Sequence, residues 1–163
     1  MKQEIFNKLF GLYNKATFKQ RHLGNLWYNQ ANLDAQNIQC KLSNDGILVE
    51  LPKVIGVISA LSPNNKWERN LLDAELLIRK PLLMTKVCTY TANRVKALQI
   101  LGSDNDKILS ILGGRKTKSF YNNILNPFSD DSVTVDLWMY RGAELKQSPK
   151  NYELISDITK GIA

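Results

Sequence analysis

The sequence predicts an all-α fold, a compact multi-helix domain, and three observations support this prediction. Apolar residues recur three and four positions apart along most of the chain, which is the spacing of the buried face of an amphipathic helix. Convincing hairpin turns, which would indicate paired strands, are absent. Hydrophobic residues make up 44% of the 163 residues, enough to form a core, so we expect a single domain over residues 1–163.

Two N-terminal helices are predicted within residues 1–42. Residues 3–13 and 18–41 each carry a stripe of apolar side chains at helical spacing, and the turn sequence Ser-Asn-Asp-Gly at 43–46 follows the second. Residues 53–61, KVIGVISAL, are interpreted as a buried helix, although a buried strand has the same density of apolar residues.

Turn residues divide the rest of the chain into shorter helices. Ser62-Pro63 ends one helix, Pro81 ends the next, and a polar loop is predicted at 126–133. Ser148-Pro149 is typical of a helix start. The helices predicted between these breaks cover residues 66–79, 91–101, 104–112, 115–125 and 137–146, and a last helix begins at Pro149.

The chain is basic, which favours an anionic partner. Its net charge is +7 and its isoelectric point is about 9.4. Each phosphate that Lys or Arg neutralises releases condensed counterions, so a nucleic acid is the first candidate. A generically basic soluble protein is the alternative.

Cysteine and histidine usage excludes several kinds of site. Cys40 and Cys88 lack metal-binding spacing, which argues against a disulfide framework and excludes an iron–sulfur cluster held by four thiolates. His22 is the only histidine, so no His-based triad is available, and we expect no metal and no cofactor. The N-terminus does not look like a signal peptide, and residues 47–62 are too short and too interrupted to span a bilayer. We therefore expect a cytoplasmic protein that does not enter membranes.

Two glycines between predicted helices form the first candidate site. Gly113 and Gly114 allow backbone N–H groups to approach an anion closely, and the next helix directs its positive N-terminal dipole to the same place. The first turn of that helix nevertheless holds Arg115, Lys116 and Lys118, cations that oppose the dipole by about 0.3–1 kcal/mol each. A bound phosphate would resolve this conflict, whereas the alternative is a solvated basic turn. The predicted phosphate-binding residues are Gly113, Gly114, Arg115, Thr117 and Lys118.

Asp136 is the second candidate, at the start of the helix predicted over 137–146. An aspartate in this position is commonly an N-cap and nothing more. A cap and a catalytic carboxylate are compatible, because a helix N-terminus interacts favourably with a carboxylate.

Taken together, GGRKTKSFYNNIL and VTVDLWMYR resemble the helix-hairpin-helix and Gly/Pro-Asp loop of the endonuclease III superfamily of DNA glycosylases. The segment 114–117, Gly-Arg-Lys-Thr, is similar to the end of that hairpin, and Val135-Asp136 is similar to the catalytic aspartate segment, 20 residues after Lys116. Weaker similarity extends the resemblance over residues 50–145, with the hairpin at 104–125. The chain departs from the family in having Gly113-Gly114 in place of Gly-x-Gly.

The resemblance implies a DNA-glycosylase-like fold and roles for individual residues. Asp136 would stabilise the oxocarbenium-like sugar and activate water. Lys116 would form a Schiff base if burial and Arg115 favour its neutral amine, which would add strand-nicking lyase activity. Leu61 stands where the family has a glutamine that enters the DNA helix. Trp27 and Tyr28 lie on the long second predicted helix and are interpreted as core residues, independently of the resemblance. The residues expected at the base pocket or as a wedge are Leu61, Asn64, Trp67, Trp138 and Tyr140.

Three function classes remain open at this point. The first is a DNA N-glycosylase, with or without lyase activity, that acts on a damaged or modified base flipped out of double-stranded DNA. The second is a non-catalytic DNA-binding protein that uses the same hairpin. The third is a base-processing enzyme of the superfamily's thymine-hypermodification branch, which is known from phages.

Overall fold

The computed structural model describes residues 2–162, and within this range it contains helices, turns and loops but no β-strand, so the all-α prediction is confirmed. Residues 1 and 163, the two ends of the predicted domain, lie outside the described residues. The helices are α1 (Lys2–Lys15), α2 (Phe18–Asn44), α3 (Leu51–Leu61), α4 (Trp67–Arg79), α5 (Thr91–Leu101), α6 (Ile108–Leu112), α7 (Arg115–Leu125), α8 (Leu137–Gly142) and α9 (Pro149–Lys160), with a 3₁₀ turn at Asn105–Lys107 before α6. No helix in the described range is both long and apolar enough to cross a bilayer.

Most predicted helices are found within a few residues of their expected bounds, but the helix predicted over 137–146 is too long. It ends at Gly142, because Glu144 adopts a left-handed backbone with φ +55°. The Leu145 N–H then donates to the Tyr140 carbonyl oxygen at 2.9 Å, and the Glu144 N–H donates to Arg141 at 3.1 Å. This pair of hydrogen bonds is the Schellman arrangement that closes a helix. An ion pair between Glu144 and Lys8, at 2.7 Å, links this turn to α1.

The larger of two hydrophobic clusters is built around α3, which packs against α2, α4, α5 and α7. Val54, Ile55, Val57 and Ile58 are all buried, so this segment is apolar on every side because helices surround it. Gly56 allows the closest approach, since a Cβ atom there would lie 3.0 Å from the Ile100 side chain. The helical interpretation of residues 53–61 is confirmed, and the strand alternative is wrong.

A second cluster joins the two ends of the chain, because α1 packs against α8 and α9. Ile5 of α1 lies with Val135 and with Ile155 of α9. The two N-terminal helices predicted together therefore contribute to different clusters, α1 to this one and α2 to the larger one. As a result, the loop that carries Asp136 is held by the second cluster and faces α7 of the first.

Two tyrosines of the larger cluster, the buried Tyr121 and the partly buried Tyr28, make stability depend on pH in the alkaline range. Burial raises the pKa of Tyr28 and of Tyr121 above the ordinary value of 10.0. Above about pH 10 the unfolded chain therefore loses phenolic protons that the folded chain keeps, and the free energy of unfolding falls as pH rises. Urea unfolding at increasing pH should show this fall, and Tyr121→Phe should make it shallower. A free energy of unfolding that is constant through this range would contradict the prediction.

Candidate functional site

A cleft of about 370 Å³ lies where α2, α4, α7 and the loop before α8 meet. On α7, the spacing of Lys116, Thr117 and Phe120 places all three on one helical face. The loop after α3 and the first turns of α4 form the opposite side. The lining includes Trp27, Tyr28, Trp67, Lys116, Phe120 and Asp136, so two candidate catalytic residues that are 20 positions apart in the sequence border the same space.

One wall of the cleft is aromatic. The ring centroid of Trp27 lies 5.0 Å from that of Trp67 and 5.8 Å from that of Phe120. The Trp67 indole N–H donates to Asp34 Oδ2 at 3.0 Å, which fixes the orientation of this ring. Trp27 is 38% exposed, so the wall presents aromatic surface to the cleft as well as to the core. Large, oriented rings of this kind suit a flat aromatic ligand.

Asp136 occupies the N-cap position of α8, as the sequence indicated. Its Oδ1 atom accepts the N–H of Met139 at 3.0 Å. No hydrogen bond to Oδ2 is found within residues 2–162, and the side chain is only partly buried. The preceding residue, Val135, is buried and its N–H donates to the Tyr152 hydroxyl at 3.3 Å, which anchors the loop. One carboxylate oxygen therefore caps the helix while the other remains available to the cleft.

Tyr28 supplies a neutral hydroxyl close to this carboxylate. Burial raises the pKa of Tyr28, the Thr134 and Asn123 side chains beside it lower that pKa, and the negative charge of Asp136 contributes a smaller rise. The phenol is therefore protonated at neutral pH. It can donate a hydrogen bond within the cleft.

The two glycines form a tight bend between α6 and α7. Gly113 has φ +74° and ψ −64°, and the Gly114 N–H donates to the Leu112 carbonyl oxygen at 2.9 Å, which makes Gly113 the centre of a γ-turn. The Lys96 ammonium donates to the same Leu112 oxygen at 3.0 Å. The Gly114 N–H, which the sequence predicts as a donor to an anion, is therefore occupied inside the turn. The N–H groups that begin α7, those of 115–117, have no acceptor among the described residues.

The cations in the first turn of α7 face two directions. Lys116 is exposed and lines the cleft, whereas Arg115 donates to Glu153 Oε1 of α9 at 2.6 Å. Lys118 lines a separate groove against α9. Thr117 lines the cleft and donates through its hydroxyl to the Gly114 carbonyl oxygen at 2.9 Å, which braces the turn. Of the predicted phosphate-binding side chains, only Thr117 therefore borders the cleft within the described structure. Lys116, which the sequence predicts as a catalytic residue, also lines the cleft.

The residues expected at the base pocket do not lie together in the structure. Among the described residues, Trp67 is the only one of the five that lines the cleft. Leu61 is 0% exposed and belongs to the larger core cluster, so it has no surface with which to enter DNA. Tyr140 is buried in the second cluster and donates to the Ser148 carbonyl oxygen at 3.3 Å. Trp138 is 71% exposed and stacks with Arg141, whose guanidinium lies 4.7 Å from the ring centroid. Asn64 turns to the Tyr90 hydroxyl instead, at 2.9 Å.

The sequence predicts Trp27 and Tyr28 as core residues and does not single out Phe120 or Asn70, yet all four line the cleft. A signal for the first pair does exist in the sequence. Neighbouring residues on a helix point about 100° apart, so two adjacent large rings cannot both occupy the centre of a single buried face. No comparable pattern distinguishes Phe120 from an ordinary core residue.

A larger groove of about 1010 Å³ lies between the end of α2 and the start of α3. Its lining is mostly neutral, with Glu50 and Lys53 as the charged residues, and none of the predicted site residues borders it. Within residues 2–162, no group of three or more His, Cys, Asp or Glu side chains is arranged to hold a metal ion. Of these two cavities, the smaller aromatic cleft is the one bordered by the predicted catalytic residues, Lys116 and Asp136.

Comparisons with known proteins identify a family. Searches of curated proteins and of solved structures found no match. The sequence profile of DUF7178, described as a family of unknown function, matches residues 1–160. The chain belongs to the DUF7178 family.

Proposed function

We propose that this protein binds double-stranded DNA and acts on a base that has been flipped out of the duplex, as an N-glycosylase. One observation carries the proposal. The Asp136 carboxylate and the start of α7 line a single aromatic-walled cleft, although they belong to different elements and lie about 20 positions apart in the sequence. The resemblance to the helix-hairpin-helix glycosylases agrees with this arrangement, and α6, the glycine bend and α7 correspond to the proposed hairpin.

The start of α7 is suited to a DNA phosphate. Three unpartnered N–H groups, those of 115–117, coincide with the positive end of the helix dipole. Lys116 adds a full charge beside them, and the net charge of +7 favours a polyanion over the whole molecule. A phosphate here would offset the repulsion between the dipole and the cations of the first turn.

Gly113→Ala tests whether this bend supports DNA binding. A side chain at φ +74° is strained, so we expect the free energy of unfolding to fall by about 1–3 kcal/mol and the affinity for DNA to fall with it. Gly46→Ala is the matched control, because its φ is +77° and a Cβ atom there has no neighbour within 4 Å. Chemical denaturation and fluorescence anisotropy with a labelled duplex measure the two effects. If Gly113→Ala and Gly46→Ala bound DNA with equal affinity, the bend at Gly113 would not be part of the DNA-binding site.

The aromatic wall is suited to the flipped base. Trp27, Trp67 and Phe120 present stackable surface, and a volume of about 370 Å³ lies within the range of small-molecule pockets, roughly 300–1,000 Å³. Enzymes that act on a base inside a duplex must extrude it and commonly hold it between aromatic side chains. Binding energy from the phosphate contacts would compensate for the unstacking.

Asp136 is the group in the cleft that can promote hydrolysis of the N-glycosidic bond. Breaking the N-glycosidic bond leaves positive charge on the sugar, and the free oxygen of Asp136 can stabilise that charge and accept a proton from the attacking water. The base departs with the bonding electrons, the water oxygen bonds to the sugar carbon, and the proton that Asp136 accepted passes through solvent to the base, so the products are a sugar hydroxyl and the neutral base. The neutral Tyr28 hydroxyl is available to donate a hydrogen bond during this step.

The geometry supports phosphate contact by Lys116 better than attack on the sugar. Schiff-base formation is expected to require burial of Lys116 and a nearby Arg115 cation. In the described structure Lys116 is exposed and Arg115 is paired with Glu153, so neither condition is met. We therefore propose hydrolysis without Schiff-base formation. Borohydride reduction with abasic DNA should yield no covalent adduct, and an adduct lost in Lys116→Arg would establish the lyase.

A panel of duplexes, each with one damaged or modified base, tests the proposed function. Alkali cleavage reports abasic sites, mass analysis reports altered bases, and anisotropy reports binding. We expect at least one base to be released. Binding without release would leave a DNA-binding protein, an altered base without an abasic site would indicate a base-modifying enzyme, and absence of binding would overturn the proposal.

A further inference from the structure

Asn70 of α4 is a buried amide whose acceptor has no partner. The side chain is 1% exposed, and its Nδ2 atom donates to the Ile58 carbonyl oxygen at 3.0 Å. The opposite atom, Oδ1, is shielded from solvent and has no hydrogen-bond partner among the described residues. The bond to Ile58 fixes the orientation of the amide, since a flipped amide would lose it.

The residue that carries this unpartnered oxygen lines the aromatic cleft. Asn70 lines the cleft and lies one helical turn after Trp67, so the amide and the indole share a face of α4. Among the described residues, four others also carry a buried, unpartnered side-chain oxygen, but none of them lines this cleft: Asn29, Ser59, Asn105 and Asn123. A buried acceptor without a donor is costly, and buried polar atoms are usually satisfied by the protein, by ordered water or by a bound group.

We infer that Asn70 Oδ1 selects the base by accepting a hydrogen bond from an N–H group on the edge of its ring. The ligand class is a planar heteroaromatic base that carries a ring N–H or exocyclic amine, stacked against Trp67 and Trp27. This inference rests on the proposed function for the position of the base. Aromatic stacking tolerates any flat ring, so a directional acceptor one helical turn from Trp67 would provide the discrimination.

Titration of tryptophan fluorescence with deoxynucleosides tests the inference on the whole chain. The probes form two pairs, 2′-deoxyadenosine with purine 2′-deoxyriboside, and thymidine with N3-methylthymidine. In each pair the second member lacks the N–H donor, and the purine pair removes it without adding bulk. For the base that binds more tightly, we expect loss of the donor to weaken binding by about tenfold. Equal affinity within both pairs would overturn the inference without any variant.

Asn70→Leu removes the acceptor at similar side-chain volume, and we expect the affinity ratio within the pair to fall to about one. Asn29→Leu is the matched control, because it removes an unpartnered amide oxygen outside the cleft and should preserve the ratio. Far-UV circular dichroism checks the fold of both variants. A ratio that Asn70→Leu preserves in a folded protein would overturn the role of Asn70.

The outcome separates this inference from the proposed function. Donor-dependent binding by a protein that releases no base from any duplex would support the role of Asn70 and contradict the glycosylase. Base release by a protein that does not discriminate within either pair would support the glycosylase and contradict the role of Asn70.

Discussion

Asp136→Asn is expected to reduce the rate of base release by about a hundredfold to ten-thousandfold, the range typical for loss of a general acid or base. Asparagine is as good an N-cap as aspartate, so the hydrogen bond to the Met139 N–H is retained and α8 keeps its start. What changes is the charge of the oxygen that faces the cleft. DNA affinity should be unchanged or higher, because a negative charge near the phosphates is removed. Single-turnover base release and anisotropy with the same duplex measure the two effects.

Asp130→Asn is the matched control, because Asp130 is an exposed carboxylate in the loop that leads to Asp136. It removes the same charge from the same loop without touching the cleft lining, so base release should match that of the unaltered protein. If Asp136→Asn released base at the normal rate, Asp136 would be a helix cap only.

Leu61→Ala is expected to have the largest effect on stability, a loss of about 2–5 kcal/mol in the free energy of unfolding. Leu61 is completely buried at the end of α3, and truncation would leave a cavity at the centre of the larger cluster. Its resemblance to the helix-invading position of the glycosylases implied a direct role in DNA. The structure replaces that role with a packing role, since none of its surface is available to a duplex. Urea denaturation provides the measurement.

Leu72→Ala makes the same substitution on a neighbouring helix at a side chain that is 63% exposed. Its effect should lie within about 0.5 kcal/mol of zero. The opposite pattern, in which Leu61→Ala leaves stability intact but weakens DNA binding, would restore Leu61 as a wedge.

The sequence predicts the local structure of this protein well. Apolar spacing locates α5 and α7 at the bounds that the structure shows, and the N-cap role of Asp136 is confirmed by its hydrogen bond to Met139. These features depend on neighbours within a few residues, so local patterns are sufficient to identify them. The early end of α8 depends instead on the left-handed backbone of Glu144, an uncommon conformation for this residue type.

The composition of the cleft depends on contacts between distant residues. Arg115 is drawn from the predicted phosphate site by Glu153, which lies 38 positions away in the sequence. Leu61 and Trp67 follow one another closely, but one enters the core and the other the cleft because α3 is enclosed by helices and α4 is not. Apolar spacing identifies which residues avoid water; it does not distinguish a core from the wall of a binding site.

Amide chemical shifts during titration with a duplex that contains a tetrahydrofuran abasic-site analogue provide the most direct test of the central claim. The central claim is that one nucleotide binds between two helix starts, with its phosphate at the start of α7 and its sugar beside Asp136 at the start of α8. We expect the largest changes at the N–H groups of 115–117, at the Met139 N–H that Asp136 holds and at the Trp67 indole. Changes confined to the neutral groove between α2 and α3, with these signals unmoved, would contradict the account.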